Sequence, residues 1–199
     1  MSKANGWLLI LGAIVQMVGW IAFYPANPTD ATSVQANALI ADEAMARVGL
    51  IMGFGGMIAM VAALVNVARS IQSAYASYAA FIFGLTAAVA LVSTGFEFRV
   101  VDAPSDAIAA SLMGNSLAIG DGMFLGLGVA NVLLGIAILL TKQIYRIIGA
   151  LAVLAGIAMV LMPFLGQDSP VAAIAFLGWL LVSIGIGFHS IRTADRTAD

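Results

Sequence analysis

Between Leu117 and Thr141 the chain reads LAIGDGMFLGLGVANVLLGIAILLT, and Asp121 is its only charged residue. As a helix rising 1.5 Å per residue, this run is long enough to cross the roughly 30 Å hydrocarbon core of a bilayer. Ala118, Gly122, Gly126 and Ala130 recur every fourth residue and so share one helical face. In lipid no hydrophobic drive pushes helices together, and close backbone approach through small residues takes its place. Asn131 sets a polar amide near the middle of the same run.

Composition extends this reading to the whole chain. Of 199 residues, 62% are apolar and 9% charged, and the mean hydropathy is +1.07. A soluble domain carries about 25% charged residues. So few charges cannot cover a water-facing surface, so the solvent for most of this chain is lipid. A net charge of −2 without any basic run points away from nucleic acid. There is no cysteine and a single histidine, His189. Disulfides, thiolate metal sites, iron–sulfur clusters and bis-histidine haem within one chain are thereby excluded, and no metal or other cofactor is expected.

Six spans can be placed, at about 7–24, 48–68, 75–96, 117–141, 144–164 and 171–190, giving an all-α bundle of one domain. The first stops at Pro25. With Lys3 as its only basic residue, an apolar run beyond the usual h-region of about 7–15 residues and no A-x-A site, it reads as a retained span rather than a signal peptide. The polar connection from Ala26 to Arg47 suggests a short amphipathic helix capped by Asp30, with Val34, Ala38, Leu39 and Ala41 turned to the membrane surface. Ser105 or Asp106 can start a helix running to Thr141. At about 50 Å it would either break near Gly114–Asn115 or project beyond the bilayer.

Basic residues set the orientation. Lys3, Arg69, Lys142, Arg146, Arg192 and Arg196 fall on one side, and only Arg47 and Arg99 on the other. The positive-inside rule then makes both termini cytoplasmic in a bacterial inner (plasma) membrane. The opposite face receives Asp30, Asp42, Glu43, Glu97, Asp102, Asp106 and Asp168, with Asp121 just below it.

Small-residue ridges recur on other spans: Gly55, Ala59 and Ala63 on the second, Ala80, Gly84 and Ala88 on the third. They can pack the bundle internally, or meet a second copy or a partner membrane subunit. Membrane lipids are the remaining expected partner.

The candidate chemistry lies in Arg47, Glu97, Arg99, Asp102, Asp106 and Asp121. Arg99 and Asp102 can meet at i,i+3, while Arg47 and Asp121, opening neighbouring spans, can reach Glu97. With Asn131 these side chains would line an outward polar cavity for a small solute, ion or lipid headgroup. The alternative is a set of interfacial ion pairs that pin helix ends. Near the midplane only neutral groups occur, Gln16, Thr86, Asn131 and Ser183, which disfavours an ion-coupled carrier. Asp102 and Asp106 have a spacing that could hold magnesium and a diphosphate, but Pro104 interrupts it and no second acidic motif follows. His189 sits at the end opposite most of the acids, so no catalytic set is assigned.

Several stretches carry a family resemblance: AFYP closing the first span, Arg47 opening the second, GFEFRVVDA closing the third, MFLGLG and LLTKQIYRIIGALAVLAGI across the fourth and fifth, and GWLLVSIGIGFHSIR at the end. In these the chain resembles a bacterial family of six-helix integral membrane proteins known as a domain of unknown function. The resemblance implies the six-span fold; the family has no settled activity to carry over.

These residues rank three functions. First is a non-enzymatic accessory or oligomerising subunit that packs through small-residue helix faces. A small-solute or lipid transporter with an outward acidic cavity comes second, and an intramembrane lipid-modifying enzyme third.

Overall fold

A computed structural model describes residues 2–196, in which all regular secondary structure is helical. Helix α1 is Lys3–Val18 and widens into a π-helical turn over Gly19–Phe23. There follow α2 (Thr32–Ala41), α3 (Glu43–Ser70), α4 (Ala74–Val101), α5 (Asp106–Thr141), α6 (Arg146–Leu165) and α7 (Pro170–Arg196). Six helices, all but α2, are long and apolar enough to cross a membrane. Each packs on the next in chain order, and α7 returns to α1, closing a ring. The ion pair of Lys3 with Asp195 joins the first and last helices at one end of the bundle, here the terminal end. Helix α2 and the turns before α5 and α7 lie at the other, the α2 end.

The apolar runs place the six helices, but their polar ends reach further. Asp42 caps α3 by accepting from the Met45 N–H at 3.3 Å, so α3 starts ahead of Arg47. Ser105 caps α5 through the Ile108 N–H. Helix α5 then runs unbroken for 36 residues, or about 54 Å, through Gly114 and Asn115. It projects rather than breaks because α2 and the end of α4 cover its first turns.

Two expectations for α2 are corrected. Asp30 does not cap it: Ala31 holds the cap position, with no side-chain cap bond. Asp30 instead offers its carbonyl to the Gln35 amide at 2.7 Å, tying the incoming loop to the helix. Nor does Leu39 turn to the membrane surface. Leu39 and Ala36 are fully buried against Val100, Val101, Ala109 and Met113, forming a small second core that fixes α2 over the bundle end.

Glycine sets the closest seams. A Cβ on Gly56 of α3 would lie 2.6 Å from the Gly12 carbonyl oxygen of α1. On Gly156 of α6 it would lie 2.6 Å from the Gly128 oxygen of α5. Real side chains do not fit at such distances, so these backbones touch only because both residues are glycine.

The small-residue ridges divide between inside and outside. Ala63, Ala80 and Ala130 are buried, Ala59 and Gly126 half-buried, and Ala88, Ala118, Gly55, Gly84 and Gly122 exposed. The stripe on α5 is therefore not one contact surface. A Cβ on Gly126 would meet Thr86 of α4 at 2.5 Å, whereas around Gly122 there is open space.

Candidate ligand cavity

Ser93 and Glu97 are four residues apart on α4 and so share one face, which turns into the ring rather than out of it. Glu97 is only 6% exposed. Its Oε2 accepts from the Tyr24 hydroxyl at 2.8 Å, and its Oε1 from the Ser116 hydroxyl at 2.8 Å. Ser116 Oγ is also 2.8 Å from Ser93 Oγ, so a short chain of hydroxyls runs from α4 to α5 and back to the carboxyl. Both oxygens of a buried acid are thus held by neutral donors.

Tyr24 arrives through the π turn of α1. Gly19 lies so close to α3 that a Cβ there would sit 2.5 Å from Gly53 N. That contact anchors the turn where the helix widens, and such insertions recur at functional sites. Trp20 then packs edge-on to Tyr24 and Phe54, with ring centroids 4.6 and 5.0 Å apart. The carboxyl therefore adjoins an aromatic cluster.

These groups wall a cavity of about 420 Å³. Its polar lining, Glu97, Ser93, Ser116, Tyr24, Gln35 and Gln167, gathers towards the α2 end. Its deeper lining is Phe54, Met57, Met123 and the pair Trp179–Gln16, in which the indole N–H donates at 3.4 Å. Met17, Ile21 and Leu177 also line it, yet they are 42%, 78% and 60% exposed on the outer surface of the bundle. The cavity rim therefore lies on the side of the ring, between α1 and α7. Among the described residues no Lys, Arg or His lines this space, and Glu97 is its only carboxyl.

No family model, no curated protein and no solved structure matches this chain. What the site can do rests on its own geometry.

Of the side chains expected from the sequence to form an outward polar cavity, only Glu97 lines this one, joined by Gln16 from the neutral midplane set. Arg47 instead pairs with Asp102 at 2.6 Å and with Glu43 at 3.0 Å, on the exterior. Arg99 is exposed and borders a separate shallow depression with Val92, Gly95, Phe96 and Leu112. Asp106 occupies the exposed first turn of α5, and Asp121, although beside cavity-lining Gly120, points outwards. Asn131 is fully buried between α5 and α6, donating to the Leu127 carbonyl at 2.8 Å. Its Oδ1 has no partner, and it lies outside the cavity. Among the described residues no three His, Asp or Glu side chains converge as a metal site would need.

Sequence reasoning missed Tyr24, Ser116 and Trp20. The Ser93–Glu97 spacing was the available signal, but it names only one wall. Tyr24 comes from 73 residues before the carboxyl and Ser116 from 19 after it, separations that no local pattern reveals.

Proposed function

We propose that this is a multi-pass membrane protein that admits an amphiphilic small molecule from the bilayer into the cavity, as a binding or transport protein. The observation that carries the reading is a cavity with a buried acid at one end and a rim among exposed apolar side chains at its side. A molecule already dissolved in lipid would reach it without crossing water. Its polar group would rest beside Glu97 and its apolar body against Phe54, Met57 and Trp179. The basic-residue asymmetry supports cytoplasmic termini in a bacterial plasma membrane, with α2 capping the cavity on the outer side.

Trp179 offers a direct test, since it lines the cavity and is 2% exposed. With Trp7 and Trp20 changed to Phe, it is the only tryptophan left. In bilayers of phosphatidylcholine brominated on its acyl chains, its fluorescence should be quenched. Gly120→Phe should relieve most of that quenching, because Gly120 lines the cavity and no neighbour stands within 4 Å of its Cβ position. Equal quenching with and without that change would mean that chains do not enter.

The accessory-subunit reading keeps one observation of its own. Gly55, Gly84 and Gly122 are exposed with open space above them, as a partner helix would require. Gly84→Leu and Gly122→Leu test it: loss of a complex, with the monomer intact, would favour that reading.

A further inference from the structure

Resting on the cavity reading above, we infer that the ligand class is the organic cation: a protonated amine or quaternary ammonium group on an apolar body.

The inference starts from charge balance. Glu97 is the only carboxyl in the lining, and among the described residues no basic side chain faces it there. The exterior cations near this end are otherwise placed, with Arg47 held by Asp102 and Glu43, and Arg99 exposed. An ionised carboxylate can accept about four hydrogen bonds. Tyr24 and Ser116 supply two, one to each oxygen. Both donors are neutral, so the acid keeps accepting capacity and lacks a counter-charge. Burying a charge without a partner is costly, so ionisation of this carboxyl calls for a counter-charge, and a cationic ligand would supply it.

The walls fit the same class. Trp20, Tyr24 and Phe54 form one edge-to-face cluster, and Tyr24 touches the carboxylate directly. Aromatic faces attract ammonium groups, most strongly where water is excluded. The lining also argues against a phospholipid headgroup. Phosphate is held by Arg, Lys or clustered N–H donors, and a lone carboxylate would repel it. Beyond Glu97 the space is apolar as far as Trp179 and Gln16, room for a hydrocarbon or aromatic body.

Benzyltrimethylammonium and its uncharged carbon isostere neopentylbenzene separate charge from shape. In brominated bilayers each is titrated at equal bilayer concentration against protein that keeps Trp20, the Trp179 signal being the difference from a Trp179→Phe control, and relief of quenching reports occupancy. The expected result is half-relief by the ammonium compound at a concentration at least tenfold lower, with Glu97→Gln abolishing the difference. Equal relief by both compounds overturns the cation class while leaving the cavity in place. Relief by neither, although Gly120→Phe still relieves, overturns it too and leaves acyl chains as the occupants. No quenching in any protein removes the cavity reading and this inference together. The tenfold ratio is read on protein with Glu97 intact, so it decides the matter even if Glu97→Gln does not fold.

Discussion

Helix α1 takes part in two seams that are built differently. Against α3 it is closed along its length, with Gly12 facing Gly56 and Gly19 facing Gly53. Against α7 it is closed only at the terminal end, where a Cβ on Gly6 would lie 2.7 Å from the Gly187 carbonyl oxygen. Beyond the Trp179–Gln16 hydrogen bond, α1 presents Met17 and Ile21 while α7 presents Leu177 and Phe176, and the cavity lies between them. Side-chain size along one helix thus decides where the bundle is sealed and where it is hollow. Glycine draws backbones into contact, and large residues hold them apart.

The seams should therefore respond unequally to substitution. The largest effect is expected at the closed one. Gly56→Leu places side-chain atoms where Gln16 N and the Gly12 oxygen already stand within 2.6 Å of a Cβ. Destabilisation of about 3 kcal/mol or more is expected in thermal unfolding in lipid nanodiscs, at or beyond the usual overpacking range. Next comes the cap over the hollow half. Leu39→Ala removes a fully buried side chain from the small core under α2. About 2 kcal/mol is expected, the low end for such truncations because a short helix can settle into the gap. Faster hydrogen exchange confined to α2 would show it.

Within the cavity, Glu97→Ala leaves the Tyr24 and Ser116 hydroxyls without their shared acceptor. A loss of about 1–2 kcal/mol is expected by the same unfolding assay. Arg47→Ala removes only two exterior ion pairs and should leave the melting temperature unchanged within error. The open seam should be equally tolerant. Leu177→Trp, at an exposed rim position, should stay within about 0.5 kcal/mol of the parent. It should nevertheless slow quenching of Trp179 by brominated lipid after exchange of the lipid, with the added rim tryptophan corrected for by a Trp179→Phe control.

The sequence showed the number and order of the long helices, because an apolar run of the right length declares itself. It did not show which way each helix faces. Lipid and protein interior are equally apolar, so hydropathy cannot tell a buried Gly128 from an exposed Gly122 six residues earlier. The stripe of Ala118, Gly122, Gly126 and Ala130 looked like the packing face of α5, yet Gly128 makes the close contact with α6. The same blindness hid the inward turn of α2, whose Leu39 would serve a membrane surface or a core equally well. Glu97 was legible as a charge at the end of a span. That it turns inwards while Arg99, two residues on, turns outwards follows from the 100° step of the helix, once Val100 and Val101 are fixed beneath α2. Its partners depended on the ring closing.

A side-chain-resolution experimental map of the protein in lipid nanodiscs tests most directly whether the α1–α7 seam is open. The space bounded by Tyr24, Glu97 and Trp179 should hold elongated density continuous with the rim at Ile21 and Leu177. Helices α1 and α7 in contact along their whole length, with side chains filling that space, would contradict it.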